Sequence, residues 1–180
     1  HCAALPHFLK EVSRCKGNVY MTYPTEAIYK LVVADYIKVS HMNARSTLKI
    51  FEDTDLVDSY SRIQTINYHE RVETETFKFW CYNAGHVLGA SMFMIEVGGI
   101  TVLYTGDYSR QEDRHLKSAE IPEIRPQVLI VESTYGEQNH EPKPKREARF
   151  KSDVRAVVER GGKCLIPVFA LGRAQELLLI

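Results

Sequence analysis

The chain lacks the features by which several classes of protein are recognised. No apolar run approaches the ~20 residues that a membrane-spanning helix needs, and no stretch resembles a signal peptide. Lys and Arg together (23) equal Asp and Glu together (23), so the composition gives no sign of a polyanionic partner. Any contact with nucleic acid therefore has to be made by a local site.

Cysteine is sparse and scattered, at Cys2, Cys15, Cys81 and Cys164. No two of these residues form a C-x-x-C pair, which argues against a zinc knuckle and against a disulfide scaffold. Reduced thiols in a cytosolic or nuclear protein are the simpler interpretation.

The residues that are present form the pattern of a globular protein, with 44% apolar and 26% charged side chains. Residues 43–63 are rich in Asp, Ser and Thr, which indicates a loop and a polar helix. The other elements predicted in the first two thirds of the chain are helices over 3–14 and 24–40, strands over 18–22, 63–69 and 77–85, and a hairpin over 91–107 that turns at Gly98-Gly99.

The last third of the chain predicts alternating strands and helices. Residues 126–134 and 163–169 are short and nearly all apolar, which is typical of strands covered on both faces. Helices are expected over 144–162 and 170–180. Prolines and polar residues interrupt the pattern between 136 and 150, which indicates a domain boundary there. We therefore predict an α/β protein with domains at 1–136 and 137–180.

Possible metal ligands stand where three of the predicted strands end. His86 follows the strand over 77–85, Asp107 ends the hairpin, and Glu132 ends the strand over 126–134. Counting back from the hairpin turn places Asp107 opposite Ala90, just past the loop that carries His86. An imidazole and a carboxylate that share one rim of a sheet are a natural pair of metal ligands.

Each of these residues also has a structural interpretation. His86 could be a hydrogen-bonded structural residue, and Asp107 could bond its own backbone in a turn. Glu132 could cap a neighbouring helix or pair with an arginine. Spacing alone leaves these alternatives and the metal site open.

Four segments resemble, in order along the chain, the metallo-β-lactamase nucleases that carry a β-CASP domain: NAGHVLGASMF, YTGDYSRQEDRHL, VLIVESTYG and LIPVFALGRAQELLLI. Within that family, SRQEDRHL resembles the branch that cuts pre-mRNA at its 3′ end. The resemblance implies part of an αββα sandwich over 1–136 and the start of an inserted β-CASP α/β domain over 137–180.

The resemblance also implies a site for two zinc ions. His1, which begins HCAALP, matches the last histidine of the family's H-x-H-x-D-H motif and is expected to bind the second zinc. His86 matches a ligand of the first zinc, and Asp107 matches the aspartate that bridges both ions and takes part in catalysis. Glu132 matches an acidic residue that orients a later histidine, the expected general acid.

The activity implied is that of a zinc-dependent RNA endonuclease in the nucleus. It hydrolyses pre-mRNA at the polyadenylation site with a hydroxide shared by the two zinc ions, and it leaves a 3′-hydroxyl. Its expected partners are pre-mRNA and the other subunits of a cleavage and polyadenylation complex. The chain begins at His1 without a Met and ends in an apolar run, so it is expected to be a piece of a longer protein, inactive alone.

The remaining polar residues receive separate interpretations. Arg173 begins the last predicted helix and is expected to hold an RNA phosphate. His115 is expected to be structural, and His69 and His140 solvated. The basic cluster is expected to lie on a solvated helix face that carries both basic and acidic side chains. Its members are Lys143, Lys145, Arg146, Arg149 and Lys151.

Three alternatives stand beside the endonuclease. A catalytically silent scaffold subunit is disfavoured by the presence of His1, His86, Asp107 and Glu132 together. The endonuclease of the Integrator complex differs after the TGDY segment, and PVFALGRAQE argues against a small-molecule hydrolase. The chain departs from the family at Ala3, where glycine is common, and at Tyr23, where histidine is frequent, and neither is a ligand position.

Overall fold

The computed structural model describes residues 2–12, 17–42, 52–169 and 171–180, without the side chains of residues 40–42. The helices are α1 (Leu5–Glu11), α2 (Tyr23–Met42), α3 (Asp53–Ser61), α4 (Lys143–Glu159) and α5 (Arg173–Leu178). The strands are β1 (Val19–Met21), β2 (Ile63–Thr65), β3 (Val72–Glu73), β4 (Phe77–Asn83), β5 (Ser91–Val97), β6 (Ile100–Tyr104) and β7 (Val128–Ile130). No helix in these ranges combines the length and the apolar character that crossing a membrane requires.

A small unit of two parallel strands and three helices precedes the main sheet. β1 pairs with β2, and α2 lays a stripe of side chains four residues apart, Tyr29, Val33 and Ile37, into the core. The Tyr29 hydroxyl lies 2.6 Å from the hydroxyl of Ser59 on α3. Both helices are thereby fixed to one apolar cluster.

The main sheet has the order β3-β4-β5-β6-β7, with antiparallel pairs except for β6 and β7, which are parallel. The predicted hairpin is confirmed: Val97 pairs with Ile100, and Gly98 and Gly99 take φ of 57° and 77° in the turn. The last pair of this hairpin is Phe93 with Tyr104, three residues before Asp107, so the position of Asp107 opposite Ala90 stays a prediction.

Both faces of the sheet are covered near its centre. On β4, Phe79 and Cys81 point into one cluster, whereas Trp80 joins Met92 and Met94 in the other. This alternation is the period-2 pattern of a strand between two layers. The prediction of a layered α/β fold is therefore confirmed.

The two apolar segments predicted as covered strands behave differently. β7 is a strand, but Val128, Leu129, Ile130 and Val131 are 44 to 55% exposed. Residues 163–169 form no strand, with Leu165 96% and Phe169 85% exposed. Both predictions of burial are wrong. Apolar composition shows that burial would be favourable, but no described helix or strand packs over these segments.

A cluster of charged side chains fastens α4 and α5 to the loop after β6. We call it the Glu176 cluster: Asp113, Arg114, His115, Lys143, Glu147 and Glu176. The Glu176 carboxylate lies 2.8 Å from Arg114 Nη1, 3.0 Å from Lys143 Nζ and 3.1 Å from His115 Nδ1. Arg114 also makes two 2.6 Å hydrogen bonds to Glu147, so one guanidinium joins both helices to the loop.

Glu176 is only 5% exposed, and its charge is maintained by these contacts. Burial is the largest single influence and favours the neutral acid. Hydrogen bonds from Lys143, from the backbone and side chain of Arg114, and from His115 together outweigh it and lower the pKa of Glu176 to about 2. The carboxylate is therefore an ionised anchor.

We expect Glu176→Gln to destabilise the protein by about 1–3 kcal/mol at pH 6, because the amide replaces a nearly buried carboxylate and leaves the partly covered Arg114 and Lys143 without their counter-charge. Since the pKa is lower in the folded state, the stabilisation exists above the unfolded value near 4.5 and disappears as the pH falls toward 2. Urea denaturation at pH 6 and pH 3 should show the difference between variant and wild type shrinking in acid. Glu159→Gln, on the exposed end of α4, is the control; an equal loss there would contradict the anchor role.

Candidate metal centre

His86 and Asp107 come together at one edge of the main sheet. His86 Nε2 lies 3.8 Å from Asp107 Oδ2, with the side chains 41% and 34% exposed. This distance is too long for a hydrogen bond. Two ligands of a tetrahedral zinc ion, each ~2.0–2.2 Å from the metal, stand roughly 3.3–3.6 Å apart. The spacing is therefore close to that of two atoms sharing one ion.

The His86 loop, residues 84–90, holds its histidine in an uncommon conformation. His86 has φ of 56°, in the left-handed region that few residues other than glycine adopt. The preceding Gly85 has φ of 64°, and its N–H donates to Asn83 Oδ1 at 2.9 Å. The direction of the His86 imidazole is thus set by two consecutive left-handed residues, Gly85 and His86, and by the hydrogen bond from Gly85 to Asn83.

The Asp107 loop, residues 105–119, packs directly on the His86 loop. The Ser109 N–H donates to the Ala84 carbonyl at 2.9 Å, and a Cβ on Gly85 would lie 2.6 Å from the Ser109 carbonyl oxygen. At the start of the loop, the Thr105 N–H donates to the Ile130 carbonyl at 3.0 Å. The separation of the two side chains is therefore fixed by backbone contacts.

Glu132 borders the same edge, where its carboxylate accepts backbone hydrogen bonds. Tyr108 N–H and Thr134 N–H each donate to it at 3.2 Å. A hydrogen bond from the Thr134 side chain lowers the pKa of Glu132 most; burial opposes this, and the backbone donors and the nearby His86 lower it further. These contacts correspond neither to a helix cap nor to a pair with arginine, the two alternatives considered for this residue.

The donors in the described ranges do not complete a metal site by themselves. Within residues 2–12, 17–42, 52–169 and 171–180, no group of three or more His, Cys, Asp or Glu side chains is placed to hold an ion. His1, the other predicted ligand, lies outside the described residues. His86 and Asp107 have the nitrogen and oxygen donors that zinc binds, and they fit as part of a larger ligand set.

Arg173, the predicted phosphate ligand, lies beside this edge. It begins α5, it is 64% exposed in its side chain, and its Nη1 lies 3.4 Å from Asp113 Oδ2. A Cβ on the preceding Gly172 would be 3.8 Å from the His86 carbonyl oxygen. The start of α5 is therefore packed against the His86 loop.

The three other predicted histidines, His115, His69 and His140, each contact a neighbouring side chain. His115 belongs to the Glu176 cluster, as a structural residue would. His69, which was expected to be solvated, lies 3.0 Å from Glu120, and its side chain is 59% exposed. His140 contacts the ring of Tyr135 at 4.6 Å.

The solvated face predicted for the basic residues is correct only in part. Lys145 and Arg149 are exposed and pair with Glu141, whereas Lys143 is mostly covered and binds Asp113 and Glu176. Sequence reasoning missed Glu176. The signal that could have identified it is a single carboxylate at the head of the apolar run ELLLI.

Comparison with known proteins gives two findings. Residues 1–132 match the family described as "Metallo-beta-lactamase superfamily domain". The whole chain is 57% identical to "Cleavage and polyadenylation specificity factor subunit 3" of Dictyostelium discoideum and 56% identical to "Cleavage and polyadenylation specificity factor 73" of Drosophila melanogaster, over 23% and 26% of their lengths. It is 47% identical to "Endoribonuclease YSH1" of Saccharomyces cerevisiae, over 24% of that protein. The chain therefore spans about a quarter of the length of these relatives.

The contact between the two loops predicts a specific intolerance at Gly85. Gly85→Ala adds a Cβ that meets the Ser109 carbonyl at 2.6 Å and also strains a left-handed backbone. Gly98→Ala is a matched control, because Gly98 has a similar φ of 57° but open space around its Cα. The control should cost about 1–2 kcal/mol, and Gly85→Ala at least about 2 kcal/mol more. Chemical denaturation measures both, and equal losses would show that the loops do not depend on this contact.

Proposed function

Because the chain belongs to the metallo-beta-lactamase superfamily, we propose that it forms part of a zinc-dependent RNA endonuclease that cuts pre-mRNA at its 3′-end processing site. The observation that carries this proposal is the convergence of His86 and Asp107 at 3.8 Å on one sheet edge. The names of the relatives, which include cleavage and polyadenylation factors and endoribonucleases, support the choice of substrate.

The metal-binding part of the proposal concerns three residues. His86 would hold one zinc ion through its imidazole, His1 would hold the second, and Asp107 would contribute its carboxylate to the same site. When bound, zinc neutralises charge on the phosphodiester and lowers the pKa of the attacking water. The protein's contribution is the rigid spacing of the donors, set by the backbone contacts between the His86 loop and the Asp107 loop.

Glu132 has a different role, that of orienting a general acid. Its two carboxylate oxygens are fixed by the N–H groups of Tyr108 and Thr134, so the group has a defined direction and stays ionised. An anion placed in this way holds an imidazole in one orientation and favours its protonated form. We propose that a histidine from another part of the protein takes this position and protonates the leaving 3′ oxygen, so that the product carries a 3′-hydroxyl.

Arg173 is proposed to contact the RNA backbone. Its guanidinium is 64% exposed beside the His86 loop, and arginine binds phosphate through paired donors. Asp113 orients one of its nitrogen atoms at 3.4 Å and leaves the rest of the fork accessible.

The wider setting is also part of the proposal. A nuclear protein that works with other cleavage and polyadenylation factor subunits accords with the names of the relatives. We place the start of a β-CASP domain at residue 137, a few residues after the family match ends at 132.

We expect Asp107→Asn in the full-length protein to lower RNA cleavage by more than roughly 100-fold and to reduce bound zinc. Changes to residues that merely support a metal ligand already cost about 10–100-fold, and a neutral amide cannot balance two dications. Cleavage of a labelled RNA and elemental analysis measure the two effects.

A turn aspartate would tolerate the same change, because asparagine makes similar local hydrogen bonds. Melting in the presence of a chelator should therefore be nearly unchanged, and Asp58→Asn on the exposed side of α3 should behave as wild type. Wild-type zinc content and cleavage in Asp107→Asn would overturn the metal-centre proposal and leave Asp107 as a turn residue.

Glu132→Gln tests the second carboxylate separately. If Glu132 orients an acid, the full-length variant should retain nearly all its zinc while cleavage falls by about 10²–10⁴-fold, the usual contribution of a positioned acid. Glu137→Gln, five residues further along in an exposed turn, is the control. Loss of a zinc ion from Glu132→Gln would instead make this residue a metal ligand.

A further inference from the structure

A cleft of about 340 Å³ shares the Asp107 loop with the candidate metal centre, since Gln111 and Asp113 line it. Its walls come from the Asp107 loop, the segment before α4, and the facing sides of α4 and α5. They include two aromatic rings, Tyr135 and Phe150, and two guanidinium groups, Arg146 and Arg173. We call it the Tyr135 cleft.

Two further walls of the cleft continue from segments that border the metal centre. Tyr135 stands three residues after Glu132 in the chain. Arg173 follows Gly172, whose Cβ would lie 3.8 Å from the His86 carbonyl oxygen. Segments that carry residues of the metal centre therefore also supply walls of the cleft.

The acidic side chains of the cleft are nearly buried, whereas two of its basic side chains are exposed. Its acids, Asp113, Glu147 and Glu176, have side chains only 7 to 15% exposed and are neutralised by ion pairs within the Glu176 cluster. The accessible charged groups are cations. Arg173 is 64% exposed. Arg146 is exposed and has no ion-pair partner among the described residues. The mouth is therefore positive even though the lining contains both signs.

The aromatic wall is open as well. Tyr135 is 61% exposed, and the ring of His140 packs edge to face against it with the centroids 4.6 Å apart. An exposed aromatic ring beside two exposed guanidinium groups, of which Arg173 is paired with Asp113 through one nitrogen only, suits one ligand class: an unpaired nucleotide, whose base stacks and whose phosphate binds arginine. The volume is at the lower end of that of small-molecule sites.

We propose that the Tyr135 cleft binds one unpaired nucleotide of the RNA next to the scissile bond, with its base against Tyr135 and its phosphate at Arg146 and Arg173. This inference rests on the proposed function, because the nucleotide in the cleft would belong to the RNA that the proposed enzyme cuts. Stacking tolerates every base, so the cleft holds the strand unpaired without selecting a sequence.

The test measures RNA affinity without cleavage. Full-length protein treated with a chelator is titrated with a fluorescent single-stranded RNA of about 12 nucleotides, a length within the span of single-strand sites. Tyr135→Leu should weaken binding by roughly tenfold, whereas Tyr135→Phe should bind as wild type because it keeps the ring.

The arginine has a matched control on its own helix. Arg146→Ala should weaken binding and reduce the slope of log affinity against log salt by about 0.7, the value for one phosphate contact on a single strand. Arg155→Ala removes the same charge from α4 but lies nine residues along, about half a turn around the helix on its opposite face. It should leave the affinity and the slope unchanged.

An abasic nucleotide moved along the RNA locates the base. At one position in the RNA, the abasic nucleotide should weaken binding by the wild-type protein but should not weaken binding by Tyr135→Leu any further. That result would show that the missing base and the Tyr135 ring form one interaction. Additive losses at every position would overturn the proposal.

Two further outcomes separate this inference from the proposed function. If Tyr135→Leu and Arg146→Ala lower the melting temperature but not RNA affinity, a protein segment fills the cleft and the proposal is wrong. If wild-type protein with zinc cleaves no RNA while chelated protein still binds RNA through Tyr135, the proposed function fails and the nucleotide site stands.

Discussion

The approach of two backbone loops is the constraint on which the candidate site depends. Gly85 has no Cβ, and this absence lets the Asp107 loop lie against the His86 loop closely enough for Ser109 to hydrogen-bond Ala84 at 2.9 Å. The imidazole and the carboxylate are short extensions of these two loops. The distance between His86 and Asp107 is thus set by main-chain hydrogen bonds between the two loops.

The Glu176 cluster extends this rigid base to the second half of the chain. One buried carboxylate collects two cations, a histidine and a backbone N–H, and Arg114 continues the connection to α4. Because Arg173 is three residues before Glu176, the position of that guanidinium is tied to the loop that carries Asp107. The proposed substrate contact and the proposed metal ligand are therefore parts of one connected unit.

Local patterns predicted much of this arrangement, and long-range contacts account for most of what they missed. The glycine pair identified the hairpin, and the hairpin led to the expectation that Asp107 lies near the His86 loop, where His86 is 3.8 Å away. The partners of Glu176 lie 62 residues away at Arg114 and have no local signature. The same limit applies to the contact of Glu132 with Tyr108, 24 residues earlier in the chain. It applies also to residues 163–169, because apolar side chains cannot reveal whether a covering layer exists.

The last strand of the sheet has a consequence for how the chain behaves in solution. β7 pairs with β6 along one side only, and no described strand occupies its other side. It presents backbone donors and acceptors together with four consecutive apolar residues that are about half exposed. An uncharged, unprotected edge of this kind is a template for pairing with a second copy. Expressed by itself, this stretch of the protein is therefore expected to self-associate through β7.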